Sequence, residues 1–203
     1  MDYPRVTEIL RPHTSYDNVP GDILKKAAAR GTTVHSLCAG IAKDAWIPDS
    51  MIGAEYLGYV NSFRKWSEAQ VKKYVIVEKR FVNTVLGFTG QLDFVVVGSD
   101  DELYLVDLKT SASPQKTYPV QMAAYDLLLR AAHVNVKGAM LVYLDKNGEF
   151  PKINLIHDLS EELHVFICAL DCWNYFHKKK GKKNERKETV KLESENTCDH
   201  GGT

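Results

Sequence analysis

Three charged residues interrupt two apolar segments in the middle of the chain. Asp93 lies inside the first segment, and Asp107 and Lys109 end the second, which spans residues 103–110. Such charges cost several kcal/mol to bury unless they are paired. A divalent cation held between the two carboxylates would pair them, because Mg²⁺ and Mn²⁺ prefer hard oxygen ligands. The pattern therefore predicts a site for one or two of these ions, with a lysine beside it.

Both segments have the composition of β-strands, and a polar turn at residues 98–102 joins them into a hairpin. Side chains alternate between the two faces of a strand. Asp107 and Lys109 therefore share one face, while the Leu108 side chain points to the other. The backbone carbonyl of Leu108 remains free to complete a metal coordination shell.

A helix predicted over residues 120–132 follows the hairpin after a linker. Gln121 and Tyr125 are four residues apart on this helix, so their side chains lie together on one face. Both residues either contribute to the site at the end of the hairpin or have a structural role.

The N-terminal part is predicted to be helical and then to enter the sheet. A helix over residues 22–46 carries an apolar stripe, and His35 stands beside that stripe. His35 is either a metal or phosphate contact or a satisfied structural residue. A second helix is predicted over residues 54–72, followed by a β-branched strand over residues 74–82 with Glu78 near its end.

The rest of the chain completes one predicted domain. Strands over residues 136–145 and 152–157 precede a helix over residues 160–177. This order predicts a mixed α/β (α+β) fold with a central mixed β-sheet flanked by helices, in a single domain over residues 1–178. Residues 179–203 form a basic and then polar tail, expected to be disordered, that either contacts phosphates or only increases solubility.

The composition is that of an ordinary soluble domain. The chain has 203 residues, 44% of them hydrophobic, and a formal net charge of zero. Zero net charge excludes an overall attraction to nucleic acid, so binding must depend on local patches. The sequence contains neither an apolar run of about 18 residues nor a signal-peptide pattern, so we expect a cytoplasmic protein without a membrane contact.

The four cysteines do not have the spacing of a disulfide framework or a C-x-x-C zinc site. Cys38 follows His35, Cys168 and Cys172 are one helical turn apart, and Cys198 lies in the tail. We expect ordinary free or buried thiols rather than an iron–sulfur cluster.

Taken together, the motifs resemble the PD-(D/E)XK nuclease superfamily, and in particular its RecB-like, phage-type exonuclease branch. A lone D-x-K motif would be weak, but here the elements follow one another in the expected order. They are Arg30-Gly31 with His35, Gly90-x-x-Asp93, Asp107-x-Lys109-Thr110-Ser111 and Gln121-x-x-x-Tyr125.

The resemblance implies a restriction-endonuclease-like core and a role for each motif. It assigns catalysis to Asp93, Asp107, Lys109 and Gln121. It assigns metal binding to His35, Asp93, Asp107 and the Leu108 carbonyl, with Glu78 either supporting the metal or being only a solvated strand end. It assigns DNA binding to Arg30, Thr110, Ser111, Gln121 and Tyr125, although Arg30 is equally compatible with a helix-surface arginine.

The resemblance implies a metal-dependent deoxyribonuclease, an exonuclease acting on DNA ends or single strands in recombination, repair or replication. The expected setting is a bacterial or phage-infected cell, with DNA as the main partner and a single-strand-binding or recombination protein as a further one. Two alternatives remain: a structure-specific endonuclease of the same fold, and a non-catalytic DNA-binding module, which would need a lost acid or lysine.

Overall fold

The computed structural model describes residues 3–14, 19–111 and 113–177, which form a five-stranded β-sheet with helices on both faces. This architecture confirms the predicted fold class. The elements are α1 (Val6–Leu10), α2 (Gly21–Ala42), α3 (Ala54–Gln70), β1 (Val71–Asn83), β2 (Phe88–Gly98), β3 (Leu103–Lys109), α4 (Thr117–Ala131), β4 (Gly138–Tyr143), β5 (Lys152–Ile156) and α5 (Ser160–His177).

The sheet is mixed and its strand order follows the chain, β1-β2-β3-β4-β5. Neighbouring strands are antiparallel except β3 and β4, which run parallel. A parallel connection needs a crossover, and α4 provides it. The C-terminal ends of β3 and β4 therefore lie side by side at one edge of the sheet.

Each face of the sheet has its own hydrophobic core. One core joins β2, β3 and β4 to α1, α4 and α5, with Leu105, Leu128 and Phe166 at its centre. The other joins the opposite face to α2 and α3 and includes Phe63 and Trp66. The sheet is therefore a middle layer, and a residue at its edge can be reached from both helical layers.

Several element bounds differ from those predicted. Strand β1 is longer than expected, because it pairs with β2 from Val71↔Gly98 to Asn83↔Phe88. Glu78 therefore lies inside this strand and not near its end. Helix α4 begins at Thr117, three residues earlier than predicted, so part of the expected linker is helical.

The predicted tail over residues 179–203 lies outside the described residues, and so does Cys198. The single-domain prediction for residues 1–178 stays a prediction. Within the described part of the chain, no helix is both long and apolar enough to cross a membrane.

Candidate active site

The site forms where β2 and β3 separate. The two strands pair from Val97↔Leu103 to Phe94↔Val106, and the next pair along, Asp93 and Asp107, is not joined. The Asp93 carboxylate occupies the gap, and its Oδ2 accepts a hydrogen bond of 2.8 Å from the Leu108 backbone N–H. A side chain thus satisfies a buried backbone donor that the neighbouring strand would otherwise bind.

His35 reaches the same carboxylate from α2. Its Nδ1 lies 3.2 Å from Asp93 Oδ1, so the two oxygens of Asp93 have different partners. Val34 and Cys38 on the same helix are fully buried in the core beneath. This packing fixes α2 on the sheet and directs His35 towards the end of the hairpin.

Asp107 and Lys109 lie on one face of β3, as the alternation of the strand predicts. Lys109 Nζ is 2.5 Å from Asp107 Oδ2 and donates a 3.0 Å hydrogen bond to Gln121 Oε1. The Gln121 amide nitrogen donates to the Tyr125 hydroxyl at 2.8 Å and to Asp107 Oδ1 at 3.4 Å. Gln121 and Tyr125 thus form, with the acid and the lysine, a continuous chain of contacts from α4 to β3.

Tyr118 also belongs to this group, although the sequence analysis did not identify it. Lys109 Nζ lies 4.1 Å from the centre of the Tyr118 ring, and the Tyr118 hydroxyl is 3.1 Å from Ser111 Oγ. A cation over an aromatic face is attracted to it. The available signal was the spacing, because Tyr118, Gln121 and Tyr125 follow one another at i, i+3 and i+7 on α4.

Glu78 approaches Asp93 from β1 with an unusual backbone. Its φ angle is +48°, a left-handed conformation that is uncommon for a residue with a side chain. Gln91 Nε2 donates a 2.5 Å hydrogen bond to Glu78 Oε2. The Glu78 carboxylate lies within 4.8 Å of donor atoms of His35 and Asp93, and strained backbone of this kind is concentrated at functional sites.

The donor atoms around Asp93 fit a divalent cation. One ligand atom each from His35, Glu78 and Asp93 lie within 4.8 Å of one another. Asp107 Oδ2 is buried beside this set and forms a 2.5 Å ion pair with Lys109. Buried carboxylate oxygens together with an imidazole are ligands that suit Mg²⁺ or Mn²⁺.

The pKa values of the buried groups in the cluster are shifted in different directions. Burial opposes a charge on His35, but the Asp93 carboxylate outweighs this and raises the pKa of His35 to about 9. Burial also opposes the charge on Asp93, yet His35 and the Leu108 N–H keep the pKa of Asp93 below its usual value. Burial, reinforced by the Asp93 charge, raises the pKa of Asp107. A cation that binds here must displace the His35 proton.

Arg30, Thr110 and Ser111 line the same side of the site. Arg30 Nη2 donates a 3.4 Å hydrogen bond to the Thr110 carbonyl, and its guanidinium lies 5.6 Å from the centre of the Tyr59 ring. Arg30 Nε is buried without a hydrogen-bond partner among the described residues. Arg30 is therefore half-buried between α2, α3 and the end of β3, and it is not a free surface arginine.

Two cavities open on either side of the acidic cluster. One, of about 790 Å³, is lined by His35, Glu78 and Asp93 and also by the exposed Lys43 and Arg80. The other, of about 480 Å³, is lined by Arg30, His35, Asp93, Asp107, Lys109, Ser111 and Gln121 among others. Asp93 therefore borders both cavities, whereas Asp107 borders only the second.

Gly90 has a packing role in the site. A Cβ atom at this position would lie 2.7 Å from Tyr125 Cε1 and 2.8 Å from Leu128 Cδ1, closer than real Cβ contacts. The absence of a side chain lets α4 lie directly on β2. This close approach brings Tyr125, and with it Gln121, to the end of β3.

The described cysteines do not come together. Cys38 is buried on the α2–α3 face of the sheet, whereas Cys168 and Cys172 are exposed on α5, which packs on the opposite face. A cluster ligated by all three would need ligands from both sides of the sheet.

The fold and the acidic cluster with its lysine agree with the sequence-based resemblance. The chain belongs to the PD-(D/E)XK nuclease superfamily, whose family model matches residues 16–198. The superfamily part of the resemblance is thereby confirmed.

Other comparisons add little. A comparison with curated proteins gives no significant match. A solved structure titled "Crystal structure of SSO0001" is similar over 52% of this chain and 52% of its own, at 16% identity and a TM-score of 0.36. The alignment thus spans about half the length of each chain.

Proposed function

We propose that this nuclease is a DNA exonuclease of the RecB-like type, acting on DNA ends or single strands in recombination, repair or replication. The observation that carries the proposal is the contact chain from Tyr125 through Gln121 to Lys109 and Asp107, beside the His35–Asp93 pair. These are the motifs on which the resemblance to that branch rests. The proposed setting remains the cytoplasm of a bacterial or phage-infected cell, with DNA and a recombination or single-strand-binding protein as partners.

The carboxylates of Asp93 and Asp107 are proposed to hold one or two Mg²⁺ or Mn²⁺ ions, with His35, Glu78 and the Leu108 carbonyl completing the ligand set. When bound, such an ion lowers the pKa of a coordinated water and stabilises charge on the phosphoryl oxygens. The group of donor atoms within 4.8 Å of one another consists of His35, Glu78 and Asp93, without Asp107. Asp93 is therefore proposed to contribute to both ion positions.

Lys109 is proposed to act on the attacking water. Its ammonium group is fixed by Asp107, by Gln121 and by the Tyr118 ring, so it occupies one position beside the buried carboxylate oxygen. From there it can orient or deprotonate the water, or stabilise the charge that develops on the phosphate. Gln121 and Tyr125 position Lys109, and Arg30, Thr110 and Ser111 are proposed to contact the DNA backbone.

An endonuclease of the same fold is the second candidate, and the pair of cavities favours it specifically. Because cavities of about 790 and 480 Å³ flank the carboxylates, a strand could extend on both sides of the bond that is cut. The hydrolysis of the phosphodiester bond would be the same, and the enzyme would differ only in not requiring a DNA end.

The test is cleavage of linear and closed circular DNA, single- and double-stranded, with Mg²⁺ or Mn²⁺. Labels on the 5′ or 3′ end of the linear substrates report polarity. We expect linear DNA to be degraded and circles to survive, whereas cleavage of circles would establish the endonuclease. Lys109→Ala should reduce the rate about 10²–10⁴-fold, the range for loss of a proton-transfer group.

Matched controls separate catalysis from folding. Asp107→Asn should abolish cleavage, while Asp126→Asn, at another buried carboxylate that pairs with Arg130, should not. Lys137→Ala removes a lysine from a surface ion pair and is the control for Lys109→Ala. If wild type binds DNA but cuts nothing with any metal, the catalytic proposal fails and the binding-module alternative replaces it.

A further inference from the structure

A row of three side chains continues the site away from the metal ligands. In the parallel pairing of β3 and β4, Lys109 is opposite Tyr143, and in the antiparallel pairing of β4 and β5, Tyr143 is opposite Lys152. Directly paired residues on neighbouring strands project from the same face of a sheet. The row Lys109–Tyr143–Lys152 therefore crosses three strands at one edge, with an aromatic ring between two cations.

A third cavity, of about 330 Å³, lies along this row. Its lining includes Tyr143 and Phe150, the lysines Lys146 and Lys152, and Thr110 and Ser111. Thr110 and Ser111 also line the cavity that contains Lys109. The third cavity therefore adjoins the proposed active site at the residues that follow β3.

The chemistry of this cavity combines ring faces with positive charge. Phe150 is 46% exposed, so part of its ring is accessible to a ligand. Neither Lys146 nor Lys152 has an ion-pair partner among the described residues. The single acid in the lining, Asp145, already accepts hydrogen bonds from the backbone N–H groups of Asn147 (2.7 Å) and Glu149 (3.4 Å).

The turn that carries these residues is held in place by α3. Gly58 lies so close to it that a Cβ atom there would be 1.7 Å from the Lys146 carbonyl oxygen. The Asp145 N–H also donates a 3.0 Å hydrogen bond to Ser62 Oγ. A rigid turn can present an exposed ring without a large loss of entropy on binding.

We propose that this third cavity, the β4–β5 pocket, binds one unpaired nucleobase of the DNA strand. The base stacks on Phe150 and Tyr143, and Lys146 and Lys152 contact the adjoining phosphates, since aromatic faces beside lysines are the usual means of binding single strands. The inference rests on the proposed nuclease function and deepens it, because it makes an unpaired strand the substrate next to Lys109. A duplex would have its bases stacked on one another and unavailable to the pocket.

The experiment measures binding and cleavage separately. Binding is followed by fluorescence anisotropy in the presence of EDTA, with a labelled single-stranded oligonucleotide in which each base in turn is replaced by an abasic site. Wild type should lose affinity about 10-fold at one abasic position, within the range measured for a single stacked base. Phe150→Leu should weaken binding of the intact oligonucleotide by a similar factor and should no longer respond to that abasic site.

Conservative and remote variants serve as controls. Phe150→Tyr keeps the ring and should keep the affinity, whereas Phe150→Leu keeps only the apolar bulk. Phe176→Leu removes a more exposed phenylalanine, 76% accessible near the end of α5, and should have no effect. Thermal melting of each variant should match that of wild type, because Phe150 contributes little to the core.

The outcomes distinguish this inference from the proposed function. Hydrolysis of bis(p-nitrophenyl) phosphate, which has no nucleobase, by wild type tests the nuclease chemistry independently of the pocket. An abasic response that persists in Phe150→Leu, or no response in wild type, overturns the pocket even if DNA is cleaved. A wild type that cleaves nothing but shows the Phe150-dependent response overturns the nuclease proposal and leaves the pocket standing.

Discussion

Removing the charge of Asp93 and removing the charge of Asp107 should have different effects on the stability of the fold. The fold keeps the pKa of Asp93 low, because His35 and the Leu108 N–H favour its ionised form. It raises the pKa of Asp107, because burial and the Asp93 charge disfavour ionisation there. In the metal-free protein, Asp93→Asn should therefore destabilise the fold, and Asp107→Asn should leave its stability unchanged or increase it.

The magnitude for Asp93 follows from its contacts. A hydrogen bond to a charged acceptor contributes about 1.5–3 kcal/mol, and Asp93→Asn weakens the bond to the Leu108 N–H and removes the pairing with His35. For a chain of this length, that loss lowers Tm by roughly 3–12 °C. The loss is present above the pKa of an unfolded aspartate, about 4, and disappears as the pH falls through the lower folded value.

The assay is urea unfolding in EDTA, followed at neutral pH and again at about pH 3, where aspartates become protonated. Both variants should be inactive in cleavage, so activity cannot separate them and stability can. An Asp107→Asn protein that is destabilised as much as Asp93→Asn would refute the unequal roles. So would an Asp93→Asn deficit that is undiminished at acid pH.

Three further predictions concern packing, metal binding and protonation. Gly58→Ala should lower the free energy of unfolding by about 1–3 kcal/mol, because the new Cβ would meet the Lys146 carbonyl. Gly21→Ala, where the new Cβ lies in open space, should not lower Tm. Equal melting of the two variants would contradict this prediction. Mg²⁺ at 100 times its Kd should raise the free energy of unfolding by about 2.7 kcal/mol, and Lys109→Ala should keep that response because it removes no metal ligand. A wild-type Tm that does not change with Mg²⁺ would exclude binding. In EDTA, wild type should be more stable than His35→Gln below pH 6.5, and this difference should disappear towards pH 9, because the Asp93 carboxylate raises the pKa of His35. A difference in the free energy of unfolding, measured by urea titration, that does not change with pH would refute this prediction.

The sequence predicted those parts of the site that depend on local periodicity. Alternation along β3 placed Asp107 and Lys109 on one face, and helical spacing paired Gln121 with Tyr125. The motif order identified the superfamily and, with it, the fold class.

Contacts between distant segments were not predictable in this way. The left-handed backbone of Glu78 arises inside a strand and has no sequence signal, since φ > 0 is favoured by glycine and not by glutamate. Tyr118 is not identified from the sequence because the helical pattern is recognisable only from residue 120, and the segment before it is predicted to be a linker. The role of Gly90 depends on its contact with Tyr125, 35 positions later in the chain, which only the packing of α4 on β2 brings about.

The hydrogen bond from Leu108 to Asp93 also constrains how such a protein could change in evolution. Among the residues that the structure describes, the Lys109 side chain contacts other side chains and no backbone group of the sheet, and its partner Asp107 can become neutral by protonation because its pKa is raised. A lineage released from selection for cleavage could therefore replace Lys109 at a smaller cost to the fold than Asp93. The Asp93 carboxylate accepts the hydrogen bond of the Leu108 N–H where β2 and β3 separate, so its loss would leave this buried N–H group without an acceptor. Descendants that no longer cut would therefore be expected to lose the lysine first and to retain the aspartate as a relic of the former chemistry.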